Sequence, residues 1–298
     1  ERCWSSMGVL VMLALLGMCS ASSVEPRAAV TPRFVAAASA PPRAATAPRL
    51  SVAATVADAK SALRSALMAN GGEPKAPAVL EAIDQLEPFC VSDPAISELW
   101  GGDWTVLTEP DFPDSLGRDS QGRYQFTLGR CSFNMFAPQS VPVALDAILN
   151  PSTAPTAAAP GDYRVIVPMD VQPPDGTVLK AVMENYAEVT PADGNTGRMM
   201  VKFCSGCLKP AAGEASDAWR AIFGDPMSQS DLTRVQRLQL WIAKRFFGLS
   251  RAEEMASNGM LTYEMPRAPQ GYLDILFLDE ELRITRGNRG SIVIAERS

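Results

Sequence analysis

The chain has 298 residues, 27 basic and 33 acidic side chains, a formal net charge of −6 and no histidine. The acidic balance argues against nucleic acid as a partner, because phosphate backbones are bound by basic surfaces. Without histidine the chain can form no Ser-His-Asp or Cys-His nucleophile pair and no histidine-ligated haem or zinc site. We therefore expect a protein that is not an enzyme, with no catalytic residues, no metal and no cofactor.

Two N-terminal segments have the composition of targeting sequences. An apolar run from Met7 to Met18, followed by small residues, predicts a signal peptide over residues 1–23. Residues 24–57 are rich in Ala, Pro, Ser, Thr and Arg and contain one acid, Glu25, which predicts a disordered, transit-like leader. The alternative is a secreted protein with a disordered Pro-Ala linker. No later apolar run is long enough to predict a membrane span.

Residues 58–90 predict two short helices. Apolar residues recur at helical spacing from Val56 to Met68, and Asn70-Gly71-Gly72 provides a stop. Pro77 then opens a second helix that ends near Pro88. We expect both helices to flank the strands that follow.

Residues 99–207 read as short strands of alternating polarity, separated by clusters of Gly, Pro, Asn and Asp. Such a pattern predicts an antiparallel barrel, so the fold class is mainly β (α+β). The segment Asn150–Gly161 is a Pro-Thr-Ala linker that predicts a mobile surface loop. The predicted strands are Trp104–Leu107, Tyr124–Leu128, Ser132–Phe136, Tyr163–Val167, Val178–Val189 and Arg198–Phe203.

Residues 208–260 predict a helical insert before the last strands. Ser230 and Asp231 can cap a helix from Leu232 to Leu249 that carries an apolar stripe and several basic side chains. One interpretation is an interfacial helix on anionic lipid, and the other is a helix packed over the mouth of the barrel. The candidate membrane-contact residues are Leu238, Trp241, Phe246, Arg234 and Arg237.

Cys204-Ser205-Gly206-Cys207 is the one reactive-looking motif of the sequence. Two cysteines at this spacing can form a redox pair or half of a zinc site, but the chain has no second pair that would complete such a site. Cys204 and Cys207 are therefore candidate redox residues. The alternative is that they are small residues of a turn beside a strand.

The closing segment, residues 261–298, predicts paired strands around an acidic turn. Leu273 and Ile275 alternate with Tyr272 and Asp274, Asp279-Glu280-Glu281 forms the turn, and a second alternating run starts at Leu282. The order of a Leu-Asp pair, an acidic turn, Leu-Arg-Ile and Arg-Gly resembles the C-terminal signature of the plastid lipid-associated proteins, or fibrillins.

Two further segments resemble the same family. Gly102 and Trp104 form the Gly-x-Trp pattern that this family's first barrel strand shares with lipocalins, and Tyr124–Phe136 resembles a family strand pair. The resemblance covers residues 58–298 and implies a lipocalin-like antiparallel β-barrel preceded by short helices. It also implies an arginine of the closing strands, Arg283 or Arg286, packed on the Trp104 indole.

The resemblance implies a binding protein that holds a prenylquinone, a carotenoid or another lipid and associates peripherally with thylakoids or plastoglobules, on a membrane or lipid-droplet surface. Residues 1–57 would then be a bipartite leader that directs the chain to a plastid. A partner enzyme at the membrane, or an enzyme or redox-gated accessory factor of lipid or quinone metabolism, stays as an alternative. The candidate ligand and barrel residues are Gly102, Trp104, Phe126, Leu128, Phe133, Tyr272, Asp274, Phe277, Leu278, Asp279, Arg283 and Arg286.

Overall fold

The computed structural model describes residues 55–227 and 232–298. The predicted signal peptide (1–23), nearly all of the predicted leader (24–57) and the predicted helix cap at Ser230 and Asp231 lie outside these residues. None of the helices within the two described ranges is both long and apolar enough to cross a membrane.

Two helices precede the strands, as predicted. Helix α1 (Val56–Ala69) begins at Thr55, whose side chain and that of Asp58 form a reciprocal capping box, and α2 (Pro77–Leu86) begins at a proline. Their apolar faces form one buried cluster with side chains of the closing strands. The helices therefore pack on the outer face of the last strands.

The remainder of the described chain is dominated by one twelve-stranded sheet, in which hydrogen-bonded neighbours run in the order β1-β12-β11-β10-β7-β6-β5-β4-β3-β2 and β9 pairs with β7 and β8. The pairs are antiparallel, which confirms the predicted fold class. The strands are β1 (Trp104–Val106), β2 (Gly117–Arg118), β3 (Tyr124–Thr127), β4 (Pro142–Leu145), β5 (Gly161–Val171), β6 (Leu179–Ala192), β7 (Asn195–Pro210), β8 (Ser250–Arg251), β9 (Leu261–Glu264), β10 (Gly271–Leu278), β11 (Leu282–Gly287) and β12 (Ile292–Arg297).

The segment 149–152 closes the sheet into a barrel-like shape. Leu149 bridges to Thr105 on one side and to Ile166 of β5 on the other, and Ser152 bridges to Gly102 and to Tyr163. The first strand and β5 are thereby joined through this segment. The sequence predicted a mobile loop from Asn150, and that prediction is wrong at its start, because Asn150 and Ser152 are buried between two strands.

The predicted strand Ser132–Phe136 does not form. Residues Leu128–Cys131 make a short helical turn, α3, and Phe133 and Asn134 then adopt positive φ angles of 51° and 61°. Left-handed backbone of this kind cannot continue a strand. Phe133 and Phe136 resemble the apolar residues of a strand in the sequence, but a compact turn packs these side chains against the core.

The insert differs from the prediction at both ends. Strand β7 runs on to Pro210, and β8 forms within the segment that was predicted to be helical. Between these strands lie α4 (Asp217–Phe223), α5 (Arg234–Ile242) and a π-helical turn at Ala243–Phe247. Thr233 caps α5 through a capping box with Gln236, three residues after the predicted cap begins.

Candidate functional site

One end of the barrel is filled by an aromatic plug, which we define as Trp100, Trp104, Tyr163 and Arg283. The Arg283 guanidinium carbon lies 4.7 Å from the Trp100 ring centroid, 4.8 Å from that of Trp104 and 5.7 Å from that of Tyr163. Arg283 Nη1 donates to Ser152 Oγ at 3.0 Å, so the segment 149–152 also contacts the plug. Burial lowers the pKa of Arg283 to about 10, and the ring faces stabilise the charge that remains at neutral pH.

A second arginine covers the plug from outside. The Arg297 guanidinium carbon lies 4.3 Å above the Trp104 ring, and its nitrogens donate to the carbonyl oxygens of Leu99 and Gly101. Gly102 makes this possible, because a Cβ there would lie 1.9 Å from Arg297 Nη1 and the φ of Gly102 is 134°. The glycine of the Gly-x-Trp pattern therefore leaves room for a guanidinium as well as adopting a backbone conformation that other residues avoid.

The structure places Arg283 on the Trp104 indole and leaves Arg286 exposed on the outer face. Sequence reasoning missed Arg297. Its place depends on the pairing of β1 with β12, which sets Trp104 opposite Arg297, and no local pattern encodes that register. The only signal in the sequence was a basic residue at the end of the last alternating run.

An apolar cavity of about 190 Å³ lies next to the plug in the barrel interior. Phe203 separates it from the plug, since this side chain lines the cavity and its ring packs edge-on against Tyr163 at 6.3 Å. The wall combines side chains of the strands, of the turn after α3 and of the insert. The lining residues are Phe112, Phe133, Met135, Val165, Val167, Asn185, Phe203, Ala243, Phe247, Tyr263 and Met265.

Asn185 and Tyr263 supply the polar groups of this wall. The Tyr263 hydroxyl donates to Asn185 Oδ1 at 2.8 Å, and both residues are buried. Burial raises the pKa of Tyr263, so its hydroxyl stays protonated and donates at any physiological pH. The pair therefore presents a fixed neutral dipole inside an otherwise apolar space.

Residues 234–247, which we call the cover helix, close the cavity on the insert side. Ala243 and Phe247 line the cavity, and Leu240 is also buried. On the opposite face, large apolar side chains are exposed to solvent, with Trp241 at 60% and Phe246 at 50% exposure. The helix thus has one apolar face against the cavity and a second one towards solvent.

The exposed face of the cover helix includes the three apolar residues that were predicted to contact a membrane. Leu238, Trp241 and Phe246 lie there together with Val235, and basic side chains surround them. The predicted apolar stripe was wrong at Leu232 and Leu249, which are buried in the core. The exposed basic residues of the cover helix are Arg234, Arg237, Lys244 and Arg245.

The predicted ligand residues are not brought together in one place. Phe133 lines the cavity. Phe126 does not, but its ring packs edge-on against the lining residue Phe112, with 5.4 Å between the ring centroids. Leu128 lies in the core beneath the cavity, and Leu278 belongs to the cluster around the plug. Phe133 is thus the member of the predicted ligand set that lines the cavity.

A β-bulge explains why Phe277 faces away from the interior. The register between β10 and β11 shifts between Ile275 and Phe277, so Leu276 is an extra residue and the alternation reverses. Phe277 consequently packs under α1 and α2, whereas Ile275 faces the plug. A strictly alternating pattern predicted both side chains on the same face.

Three other predicted residues make contacts on the outer surface. Arg198 lies 3.8 Å over the Tyr272 ring and donates to Asp274 at 2.6 Å. Asp279 accepts hydrogen bonds from backbone amides of the turn after β10 and forms an ion pair with Lys60 of α1. These contacts hold the closing strands in place and do not reach the cavity.

The predicted redox pair does not come together. Cys204 and Cys207 are both free and lie three residues apart on the extended strand β7. Three strand residues span roughly 10 Å, whereas a disulfide needs Cα atoms within about 7 Å. Burial raises the pKa of Cys207, which opposes formation of the reactive thiolate. Within the two described ranges, no three metal-ligating side chains cluster in space.

The fold and the site define a barrel-like antiparallel protein with one plugged end and one apolar cavity. The family model described as PAP_fibrillin matches residues 196–296, about a third of the chain, from β7 to the end of β12. This match confirms the resemblance to the plastid lipid-associated, or fibrillin, family over that segment and supports a lipid-associated structural protein of plastids in general. No curated protein and no solved structure matches the chain.

Proposed function

We propose that this protein is a peripheral lipid-associated protein of the plastid that holds a hydrophobic small molecule in the cavity beneath the cover helix. The observation that carries the proposal is the apolar cavity of about 190 Å³. An engineered apolar cavity of about 150 Å³ stays dry and binds benzene, so a space of this size suits a ring-sized group. A prenylquinone or carotenoid would place one end there and extend past the cover helix.

The exposed face of the cover helix supports peripheral membrane contact. Val235, Leu238, Trp241 and Phe246 offer apolar surface that a bilayer interface would bury. Each basic residue near an anionic surface contributes about 1 kcal/mol of attraction, and the cover helix concentrates four of them in a chain of net charge −6. This distribution fits an anionic lipid surface.

Ligand binding is tested with delipidated full-length protein and a titrated prenylquinone or carotenoid. We expect saturable binding near one ligand per chain. Ala243→Phe places a ring in the cavity and should abolish binding, whereas Ala256→Phe, at an exposed position of the insert, should retain it. Uptake by the wild type that never saturates would contradict the proposal, because it indicates adsorption to the surface.

Membrane contact is tested by co-sedimentation with vesicles that contain anionic lipid. Replacing Leu238 and Phe246 by Ser, or the four basic residues by Gln, should release the protein from the vesicles. Val178→Ser is the matched control, because Val178 is 55% exposed on a loop outside the cover helix. Binding that all variants retain would contradict a role for this face, and loss of folding in the Ser variant would favour a purely packed helix.

The same ligand assay distinguishes the alternative of an enzyme of lipid or quinone metabolism. An enzyme would convert the supplied lipid and lose its rate when one polar residue is changed, whereas a binding protein returns the lipid unchanged. Plastid targeting is tested by recovering the protein from plastids. The bipartite leader predicts processing near residues 45–58, so recovery of protein that still contains Arg27 would contradict it.

A further inference from the structure

The cavity wall contains one polar pair at a defined place in the sheet. Asn185 on β6, Gly206 on β7 and Tyr263 on β9 lie in one row across three strands, because Asn185 pairs with Gly206 and Gly206 pairs with Tyr263. Side chains in such a row lie on the same face. The Tyr263 ring therefore crosses above Gly206 to reach Asn185.

Gly206 is required for this arrangement. A Cβ at this position would lie 2.5 Å from Tyr263 Cε1 and 2.9 Å from Asn185 Oδ1, distances that no real side chain tolerates. A glycine within a strand destabilises it, so its presence usually marks a place where another group approaches closely. Here the approaching group is the tyrosine ring, whose hydroxyl then fixes the orientation of the Asn185 amide.

The side-chain oxygen of Asn185 is hydrogen-bonded, and its amide nitrogen can still donate to a ligand in the cavity. An asparagine carries one acceptor oxygen and two N–H donors. Its oxygen accepts from Tyr263, and within the described ranges that is the one side-chain hydrogen bond that Asn185 makes. Asn185 lines the cavity and is only 7% exposed, so a ligand in the cavity can offer its N–H groups the acceptor that the apolar wall does not.

We propose that Asn185 Nδ2 anchors the ligand by donating a hydrogen bond to a neutral acceptor oxygen. This inference rests on the proposed function, because it requires that the cavity holds a ligand. The lining residues include no lysine or arginine, so a carboxylate or phosphate would be buried without a counter-charge. The ligand group in the cavity is therefore a compact apolar body with a ketone, quinone or ester carbonyl, in preference to a plain hydrocarbon.

Acetophenone and α-methylstyrene test this anchor, because they share one shape and differ by C=O against C=CH₂. Affinities for the full chain are measured by calorimetric titration. Asn185→Leu keeps the approximate volume and removes the donor, and we expect it to weaken acetophenone binding about tenfold, which is the scale of one hydrogen bond. The affinity for α-methylstyrene should stay equal or rise. Met265→Leu, an apolar substitution in the same wall, should affect both probes alike.

Two further measurements keep the test decisive if Asn185→Leu does not fold. The double variant Asn185→Leu, Tyr263→Phe removes both polar partners, so it leaves no orphan hydroxyl and should show the same loss of preference. In the wild type, the infrared carbonyl stretch of bound acetophenone should shift to lower frequency than in alkane solvent. An unshifted stretch would overturn the anchor without any variant.

The outcomes separate this inference from the proposed function. If the wild type binds both probes and the variants leave their affinity ratio unchanged, the cavity binds ligands but Asn185 is no anchor. If the wild type binds neither probe, the cavity is no ligand site, and both proposals are wrong. A ratio that changes about tenfold in both Asn185 variants supports both.

Discussion

Two neighbouring regions of the barrel interior, the plug and the cavity, are built from the same alternating strands and differ in how they are filled. At one end Trp100, Trp104 and Tyr163 fill the interior around Arg283, which is 2% exposed. On the other side of Phe203, the side chains facing inward leave a cavity of about 190 Å³ under the cover helix. Small barrels either fill with side chains or leave room for one ligand, and the interior of this barrel contains one region of each kind.

The difference lies in the size of a few side chains on neighbouring positions of the same strand. On β5, Tyr163 reaches into the plug, whereas Val165 and Val167 line the cavity two and four residues later. Because residues i, i+2 and i+4 of a strand share a face, the interior changes from filled to open over about 13 Å. The filled plug and the open cavity therefore occupy successive stretches of one strand.

The largest expected effect comes from opening the plug. Trp104→Ala removes a fully buried indole and two cation–π contacts, from Arg283 and Arg297. We expect a loss of about 3–5 kcal/mol in the free energy of unfolding, measured by chemical denaturation. A loss below about 1 kcal/mol would mean that the plug does not support the fold.

A smaller effect is expected at the cavity, where two consecutive phenylalanines provide a matched pair. Phe247 is 6% exposed and lines the cavity, whereas Phe246 is 50% exposed. Phe247→Ser should destabilise by about 2–3 kcal/mol, below the usual cost of a core phenylalanine because its ring already borders empty space. Phe246→Ser should change stability by less than about 0.5 kcal/mol. Equal losses in the two variants would show that the helix does not have two distinct faces.

An ion pair joins α1 to the turn after β10, and its contribution to stability should depend on pH. Lys60 of α1 pairs with Asp279 and with Glu281, the latter at 2.9 Å. Burial alone would raise the pKa of Asp279, but hydrogen bonds from Lys60 and from backbone amides outweigh it and lower the pKa. A carboxyl group whose pKa is lower in the folded state than in the unfolded state stabilises the fold at pH values above its unfolded pKa. This contribution is therefore lost as the pH falls below about 4.

Lys60→Met tests this pH dependence. Burial tends to lower the pKa of Lys60, but the two carboxylates outweigh it and raise the pKa, so the ammonium stays charged throughout the acid and neutral range. The free energy of unfolding of the variant should be about 1 kcal/mol lower at neutral pH. It should also decrease less steeply as the pH falls, which is measured by urea titrations between pH 3 and pH 7. An unchanged acid decline would place the pH sensitivity elsewhere.

The smallest effect is expected at Cys204 and Cys207. Because these residues lie roughly 10 Å apart along β7, reduced and oxidised samples of the wild type should unfold at the same temperature. Cys204→Ser should behave identically under both conditions. A melting temperature that rises on oxidation and returns to the reduced value in Cys204→Ser would show that the two sulfurs do meet, through a rearrangement of the strand.

Local patterns were enough to predict α1, α2, the core of the cover helix, most strands and the place of Trp104 in the first strand. Helical spacing with a glycine stop identified α1, and the Gly-x-Trp pattern identified Trp104. Both signals are read within a few residues. They do not depend on which strand pairs with which.

Long-range pairing determined what the sequence could not predict. The bulge at Leu276 reversed the facing of Phe277, and the row of Asn185, Gly206 and Tyr263 joins the β6–β7 hairpin to β9, which follows only after the insert. In the sequence Gly206 stood inside a cysteine motif and Asn185 inside an ordinary alternating run. Their shared place beside Tyr263 follows from sheet register.

In the π-helical turn at Ala243–Phe247, the consecutive residues Phe246 and Phe247 lie on opposite faces of the cover helix. Phe247 lines the cavity, and the adjacent residue Phe246 is exposed on the same turn. On the proposed function, a ligand that displaced Phe247 would also move Phe246, and ligand binding and surface docking would then be thermodynamically coupled. Such a coupling is reciprocal: docking would change the affinity for the ligand by the same factor by which the ligand changes the affinity for the surface.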